Sequence, residues 1–273
     1  MRRNGWLSLI LWIPFITACV SPVVSNTAAT LSVEERVIHT LVAHAMLTTL
    51  TPQAGWGENA PGEQHSIEIT PAPIDNPISN EPAQTGSMPD EYYIRNIWGH
   101  RQFFAIGCEA SAVRDWAMFL GIDINEFKFQ FELPISDNPD LGFVGWVEDP
   151  WGQVPPYSYG VHAAPVAEVL RSKYNIPAQA TKRMSLADIK REIASGQPVI
   201  AWVVGNCVGG IPYEYIDKKG NKVTVAAYEH VVIVTGYNIT HIRYMNNGKF
   251  YDIPNEYFLN SWGILGNMAV YLK

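Results

Sequence analysis

Cys108 is the residue in this sequence whose type and surroundings point most directly to chemistry. It precedes an apolar run at helical spacing, and Gln102 lies six residues before it. Far downstream come His230, at the start of an apolar run, and then Asn260. A cysteine followed by a histidine and an asparagine, with a glutamine upstream, supplies the groups that nucleophilic catalysis by a thiol requires.

The position of Cys108 bears on its reactivity, because the reactive form of cysteine is the thiolate. A helix N-terminus and a histidine partner both lower the pKa of a thiol. The apolar spacing predicts a helix over residues 109–120, ended by Gly121, so we expect Cys108 at the positive end of a helix dipole. Glu109 acts in the opposite direction, since a carboxylate beside the thiol disfavours the thiolate.

The other three residues have separate expected roles. His230 would take the thiol proton and return it to the leaving group. Asn260 would orient the imidazole and fix its tautomer. Gln102 and the Cys108 backbone N–H would bind the developing oxyanion. A cysteine before an apolar helix is often only a small buried hydrophobe, so the hypothesis depends on all four residues together.

The first residues read as an export signal. A short basic start is followed by an apolar stretch over residues 6–16, which is too short to span a bilayer. The stretch ends in a lipobox-like Ile-Thr-Ala-Cys at residues 16–19. This predicts a lipoprotein signal peptide at 1–18, lipidation of Cys19 and stable membrane anchoring outside the cytoplasm, at the cell surface or in the periplasm. An ordinary signal peptide or an uncleaved anchor is the alternative.

The three cysteines do not form a disulfide framework if Cys19 carries lipid and Cys108 is the nucleophile. Cys207 would then have a structural or cleft-lining role. A bridge between Cys108 and Cys207 is the competing interpretation, and it would abolish activity.

Residues 19–89 are predicted to form a helix and a tether. A capping box begins an amphipathic helix over 32–50, and residues 51–89 are interrupted by seven prolines. Residues 90–273 remain for one compact domain with a single core, in which helices precede strands. This order predicts an α+β fold, with the nucleophile on a helical half and His230 on an antiparallel sheet half. Helices are predicted at 109–120, 124–131, 165–173 and 185–196, and strands at 199–204, 222–226, 231–237, 242–245, 250–253, 257–260 and 268–272.

A long loop over residues 136–162 is rich in glycine, proline and aromatic residues. Long loops in compact domains are often functional, so we interpret it as a cleft wall, although a surface loop pinned by its own aromatics is an equal alternative. Gly160 and Val161 of this loop, together with Trp262, are the expected substrate contacts. His162 is a rival base, but its place at a helix start favours a structural role.

Several function classes find no support in the composition. The net charge is −7 and no Lys/Arg stripe is present, which argues against nucleic acid as a partner. The spacing of His, Cys, Asp and Glu is unlike that of zinc ligands, and no phosphate-binding glycine motif stands out. A hydrolase without metal or cofactor fits this pattern.

Over residues 92–272 the chain resembles cysteine peptidase family 39, the bacteriocin-leader or double-glycine type, and its exported bacterial relatives. The resemblance implies a papain-like fold, a peptide or protein substrate, Gln102 as the oxyanion residue, Cys108 as nucleophile and His230 as base. It rests on Gln102, on Cys108-Glu109-Ala110-Ser111-Ala112, on residues 142–145, 159–166 and 198–203, on Glu229-His230 with the apolar run to Tyr237, and on Asn260-Ser261-Trp262-Gly263.

Two departures from that family stand out. Many relatives have Cys-Gly-Pro where this chain has Cys108-Glu109-Ala110, and many end the triad with an aspartate in Asn-Asp-Pro. Here Asn260-Ser261-Trp262 is similar to the Asn-Ser-Trp-Gly of papain instead. Because nothing in the sequence indicates a transporter, cleavage after a double glycine is not carried over. The leading hypothesis is a lipid-anchored extracytoplasmic cysteine peptidase; the alternatives are an amidase or acyl-transferase on cell-wall peptides, or an inactive binding module.

Overall fold

The computed structural model describes residues 88–273, which lie within one compact unit of the chain, Ser79–Lys273. The predicted signal peptide 1–18, Cys19, the helix at 32–50 and nearly all of the tether lie outside the described residues. Among the helices in residues 88–273, none combines the length and apolar character that a membrane span requires.

The first four of the five described helices begin and end close to the predicted bounds, and the fifth was not predicted as a helix. The five are α1 (Cys108–Phe119), α2 (Glu126–Glu132), α3 (Ala163–Tyr174), α4 (Leu186–Ala194) and α5 (Asn255–Gly263). Gly121 follows α1 at φ +78°, a left-handed conformation that suits glycine and stops the helix. Ser185 and Asp188 form the expected capping box at the start of α4, with Ser185 Oγ accepting from the Asp188 N–H at 3.1 Å.

The strands form a seven-stranded antiparallel sheet and a separate hairpin. They are β1 (Tyr92–Tyr93), β2 (Ala178–Thr181), β3 (Val199–Val204), β4 (Pro212–Ile216), β5 (Lys222–Ala226), β6 (Glu229–Tyr237), β7 (His241–Asn246), β8 (Lys249–Pro254) and β9 (Ala269–Leu272). The sheet order is β2-β9-β3-β6-β7-β8, with β1 also paired to β6, and β4 pairs with β5. Every residue of β3 and β6 is buried, so these two strands form the centre of the sheet.

Helix α1 packs against β6 and joins the helical half to the sheet. Three fully buried tryptophans fill the core, and each donates its indole N–H to a backbone carbonyl, so none leaves a buried donor unsatisfied. The pairs are Trp116 to Pro198 at 2.7 Å, Trp202 to Val161 at 2.9 Å and Trp262 to Met268 at 2.8 Å. The described residues thus adopt the predicted α+β arrangement of helices first and antiparallel sheet afterwards.

One predicted strand, residues 257–260, is wrong. These residues lie in helix α5, where Phe258, Ser261 and Trp262 are buried. Their spacing of three and four residues is the helical period, which a short aromatic segment does not distinguish from a strand. The short strands β1, β2 and β4 were not predicted from the sequence; β4 is exposed along most of its length, and so it lacks an apolar pattern.

A β-bulge at Thr235 sets the register of β7 on β6. Tyr237 pairs with Ile242 and Gly236 with Arg243, but Val234 pairs with Tyr244, so Thr235 is an extra residue of β6. Arg243 supports the bulge, since its guanidinium donates to Thr235 Oγ1 at 3.2 Å and to the Thr235 and Ile94 carbonyls at 3.2 and 2.7 Å.

Candidate active site

Cys108 is the first residue of α1 and is buried, with 4% of its surface exposed. Its Sγ donates to Glu109 Oε2 at 3.3 Å. The backbone N–H of Val231, the residue after His230, also hydrogen-bonds the sulfur. The thiol therefore lies between the start of α1 and the strand that carries His230, as the sequence predicts.

Two buried carboxyls adjoin the thiol. One oxygen each from Glu109 and Glu229 and the Cys108 sulfur lie within 4.8 Å of one another, and Glu109 Oε1 accepts from the Val161 N–H at 2.6 Å. Gly160 makes room for the pair, because a Cβ there would stand 2.5 Å from Glu109 Oε1 and 3.2 Å from Glu229 Oε2. Glu229 Oε1 is buried without a hydrogen-bond partner in the described structure.

The ionisation of these groups follows from burial and like charge. Burial raises the pKa of Glu109 to about 7, and burial together with the Glu109 charge raises the pKa of Glu229 well above its usual value. Burial first, and then the charges of Glu109 and Glu229, raise the pKa of Cys108 well above that of a free thiol. The resting site therefore holds a protonated thiol beside two carboxyls, of which Glu229 retains its proton near neutral pH and Glu109 titrates there.

Among the His, Cys, Asp and Glu side chains of residues 88–273, one group of three has ligand atoms close enough together to share a metal ion. It consists of Cys108, Glu109 and Glu229. A thiolate and two carboxylates suit a divalent cation, but only after they release their protons. The hydrogen bond that Cys108 donates to Glu109 requires a protonated thiol, whereas a metal ion would require the thiolate.

His230 lies on β6 and pairs with Asn246, at the end of β7. Its Nε2 is 2.8 Å from Asn246 Oδ1. Because the Asn oxygen only accepts, this contact requires the proton on Nε2, and the neutral ring then presents an unprotonated Nδ1. Burial lowers the pKa of His230, which favours the neutral ring.

Asn246 is held by a network of amides. Its Nδ2 donates to Asn206 Oδ1 at 2.9 Å, which also accepts from Tyr244 Oη at 3.0 Å. Asn247 Nδ2 donates to Asn246 Oδ1 at 3.0 Å, and Asn247 Oδ1 accepts from the Gln102 backbone N–H at 2.8 Å. These bonds fix the amide orientation of Asn246 and connect the histidine side of the site to Gln102.

A cleft of about 710 Å³ opens at this network. His230, Gln102, Asn246 and Trp151 are among its lining residues. A small recess of about 20 Å³, lined by Cys108, Gln102 and Asn246 among others, adjoins the thiol. Gln102 thus lines both spaces, while its amide Nε2 donates to the Phe104 and Ala105 carbonyls at 2.8 and 3.2 Å.

The structure does not bring Asn260 to His230, which corrects the expected role of Asn260. Asn260 lies on α5 with an exposed side chain, and in the described residues it makes no hydrogen bond to His230. Because residues 255–263 are helical, Asn260 cannot extend from a strand beside β6. Asn246 occupies the position next to the imidazole.

The three expected substrate contacts are interior residues. Val161 and Trp262 are fully buried, and Gly160 lies against the Glu109 carboxyl. Buried groups cannot contact a substrate in the cleft, so Gly160, Val161 and Trp262 are corrected to structural residues. From the predicted loop 136–162, Trp151 lines the cleft instead; its Nε1 donates to the Glu229 carbonyl at 2.8 Å and its ring meets His230 edge-on at 5.9 Å.

His162 has a structural role. It is fully buried at the start of α3, with Nδ1 2.6 Å from Asp140 Oδ1 and Nε2 3.2 Å from Tyr159 Oη. Cys207 is a free buried thiol, as is Cys108, so no bridge joins them. Burial raises the pKa of Cys207 to about 12, so it is unreactive near neutral pH.

The sequence did not predict a role for Asn246, because its position beside His230 depends on the register of β7 on β6. In the β6–β7 ladder Ile233 pairs with Met245, which brings Asn246 opposite Val232 and onto the same sheet face as His230. If β6 had no bulge at Thr235, the pairing that starts at the β6–β7 turn would place Asn247 opposite Val232, and Asn247 would share the face of His230. The Asn246-Asn247-Gly248 segment is therefore the available sequence signal, but the bulge decides which asparagine contacts the histidine.

A family model and one solved structure agree with this architecture. A family model described as Peptidase_C39 like family matches residues 92–270. A crystal structure described as a C39-like peptidase from Bacillus anthracis superposes with a TM-score of 0.60 at 21% identity, covering 68% of this chain and 98% of that chain. Xylellain, a cysteine protease from Xylella fastidiosa, gives a TM-score of 0.40 at 13% identity, covering 68% of this chain and 87% of its own. A comparison with curated proteins finds no match.

Proposed function

Because this chain belongs to the Peptidase_C39 like family and is a cysteine-type peptidase, we propose that it hydrolyses peptide bonds with Cys108 as nucleophile, His230 as base and Asn246 as the residue that orients His230. The hydrogen bond from His230 Nε2 to Asn246 Oδ1 carries this proposal. It leaves Nδ1 as the basic nitrogen, and Cys108 lies beside the residue that follows His230.

The thiol enters the reaction protonated. Burial and the adjacent carboxyls raise the pKa of Cys108, and burial lowers the pKa of His230, so the resting pair is a neutral thiol and a neutral imidazole. As the thiol attacks the peptide carbonyl carbon, His230 Nδ1 takes its proton. The C=O π electrons move to oxygen, which gives a tetrahedral oxyanion.

Acyl transfer then proceeds in two balanced steps. The oxyanion collapses, the C–N bond breaks, and His230 returns its proton to the departing amine, leaving a thioester on Cys108. Water attacks the thioester with His230 again as base, which releases the acid and restores the thiol. Gln102 and the Cys108 backbone N–H serve as oxyanion donors once the Gln102 amide exchanges a carbonyl of its own loop for substrate.

Turnover of internally quenched peptides by wild type, Cys108→Ala and Cys207→Ala tests this function. We expect cleavage by wild type and by Cys207→Ala, and none by Cys108→Ala, with all three folded by circular dichroism. Activity that survives in Cys108→Ala would remove Cys108 from the mechanism. The buried carboxyl pair favours a second candidate, a binding module that lacks turnover, and equal inactivity of all three proteins toward a broad peptide set would support it.

We further propose that Cys19 is lipidated and anchors the enzyme outside the cytoplasm. The lipobox-like residues 16–19 support this, and two or more acyl chains give stable membrane anchoring. Fractionation of cells that express wild type or Cys19→Ala provides the test. We expect wild type in the membrane fraction with a lipid-sized mass increment on Cys19, and an identical distribution of the two proteins would overturn the anchor.

A further inference from the structure

A second cavity opens beside the cleft and shares part of its lining. It measures about 420 Å³ and shares Trp151, Gly205 and Asn206 with the cleft lining. We name it the Trp151–Tyr228 cavity, after the two rings that meet edge-on at its border with centroids 5.1 Å apart. The two spaces therefore adjoin each other at Trp151, Gly205 and Asn206.

The walls of the Trp151–Tyr228 cavity are apolar and solvent-exposed. The exposed fractions are 43% for Trp151, 52% for Val208, 64% for Ile211, 49% for Tyr213 and 53% for Tyr228. Single exposed hydrophobic residues are ordinary, but five around one concave site of ligand-pocket size indicate a surface that binds apolar groups.

The cleft itself carries positive charge. Arg101 and Lys249 are among its lining residues, and none of the described residues that line it is acidic. Neither cation belongs to an ion pair within residues 88–273. Since the whole chain has a net charge of −7, this local positive site opposes the overall sign and favours an acidic group on a ligand.

We propose that the site selects extended peptides with two side-chain features: a bulky aliphatic or aromatic side chain that enters the Trp151–Tyr228 cavity, and an Asp or Glu that lies against Arg101 and Lys249. The proposal rests on the proposed function, since Trp151 of the cavity lies edge-on to His230 and the two cations line the same cleft as His230. It names the substrate class of that site. A peptide that carries only the apolar side chain, or only the acidic one, would contact only one of these two surfaces.

Peptide binding to the Cys108→Ala protein tests this preference without turnover. A set of fluorescein-labelled decapeptides carries one Leu and one Glu at every pair of positions in an Ala-Ser background, with matched peptides in which Ser replaces Leu or Lys replaces Glu. Fluorescence polarisation should show that at least one Leu/Glu spacing binds roughly tenfold more tightly than both of its matched peptides. Equal affinity across the set, or no binding by any peptide, would overturn the proposal.

Two added substitutions assign the preference to the named surfaces. Ile211→Glu should remove the advantage of Leu over Ser, and Lys249→Glu should remove the preference for Glu over Lys, because the new carboxylate balances the charge of Arg101. Both side chains are exposed, so the fold tolerates the changes. Ile239→Glu and Lys173→Glu are matched controls, because both residues are exposed and line neither space. Preferences that shift equally in the controls would contradict the assignment.

Cleavage of the same peptides by the wild-type protein distinguishes a failure of the proposed peptide preference from a failure of the proposed peptidase function. Selective binding without cleavage would uphold the substrate class and remove the peptidase mechanism. Cleavage with no dependence on Leu or Glu would uphold the mechanism and remove the substrate class.

Discussion

The most unusual residues of the site are the two carboxyls that adjoin its nucleophile. Glu109 and Glu229 are buried within 4.8 Å of the Cys108 sulfur, where a typical thiol peptidase would favour the thiolate. Like charges and low dielectric both favour the thiol here. The start of α1 and the Val231 N–H act in the other direction without offsetting burial, which is the largest influence on the Cys108 pKa. In the proposed mechanism, reactivity therefore comes from proton transfer to His230 during attack.

The resting thiol should accordingly alkylate slowly at neutral pH. We expect the iodoacetamide labelling rate at Cys108, assigned by mass spectrometry, to stay low until the pH exceeds that at which an ordinary thiol ionises, because its pKa is raised. In Glu229→Gln the midpoint should move to lower pH, since one of the two nearby negative charges is lost.

Glu256→Gln is the matched control for that experiment, because Glu256 is exposed on α5. Rapid labelling of wild-type Cys108 below pH 7 would contradict the neutral resting pair. An unchanged midpoint in Glu229→Gln would exclude the carboxyl pair as a cause of the raised pKa.

Residue types and chain order were enough to single out Cys108, His230 and Gln102 as candidates, because each lies in a local sequence context with a chemical reason. The same information indicated that the Glu109 carboxylate would oppose ionisation of the Cys108 thiol. It could not identify Asn246 or Glu229 as neighbours of these residues, since both positions follow from how β6 is paired and packed.

At the scale of elements, the Thr235 bulge determines the catalytic geometry. It inserts one residue into β6, so that Asn246 rather than Asn247 shares the sheet face of His230. Arg243 holds the bulge through bonds to Thr235 and to the Ile94 carbonyl. Arg243 is therefore a positioning residue that acts through the strand register.

Replacing Arg243 by Met should loosen this register while keeping the side-chain length. We expect an unfolding free energy lower by about 2 kcal/mol, from lost charge-assisted hydrogen bonds. We also expect kcat/KM lower by about tenfold, mostly in kcat, from a misplaced His230–Asn246 pair. Chemical denaturation and peptide turnover measure the two effects.

Arg243→Lys, which keeps one donor group, should recover part of the turnover, whereas Arg191→Met on the exposed face of α4 should change neither quantity. A loss of stability with unchanged kcat would mean that Arg243 supports the fold alone.

Most elements follow from local patterns. The capping box of α4 and the glycine after α1 are chemical signals with one structural meaning. Helices α1 to α4 and the longer strands of the sheet were predicted close to their bounds. Residues 257–260 were wrongly predicted as a strand, because a segment of four residues rich in aromatics fits both the helical period and the strand period. The exposed β4 carries no apolar face that a pattern could reveal.

For the whole molecule, Glu109 joins three parts of the structure in the core. It belongs to α1, accepts from the Val161 N–H of the long loop, and adjoins Glu229 of β6. The α+β order and the position of the nucleophile between the two halves could be predicted from the order of helices and strands. The buried acid pair between them could not, because it arises only when the halves pack together.

This pair makes stability depend on pH. The Glu109 pKa is raised from 4.5 to about 7 in the folded state, so the stability that its protonated form contributes is complete below pH 4.5 and is lost as pH rises through about 7. The change amounts to about 3 kcal/mol for a buried group. Buried His162 and His230, whose pKa values are lowered, contribute in the opposite direction by losing stability as pH falls below 6.5.

The difference between wild type and Glu109→Gln isolates this contribution. Unfolding free energies measured by urea denaturation from pH 4.5 to 7.5 should show Glu109→Gln gaining stability relative to wild type as pH rises. The control Glu256→Gln should run parallel to wild type. A constant difference between Glu109→Gln and wild type across this range would mean that Glu109 is ionised in the folded protein.

The pairing of His230 with Asn246 is the central claim, and one comparison of kcat/KM tests it most directly. Asn246→Ala and Asn260→Ala remove the same side chain from two positions, one hydrogen-bonded to His230 and one exposed on α5. Measured on one quenched peptide, Asn246→Ala should lose at least about tenfold in kcat/KM, because the imidazole loses its orientation and tautomer. Asn260→Ala should match wild type. The reverse result, with Asn246→Ala active and Asn260→Ala inactive, would contradict the account.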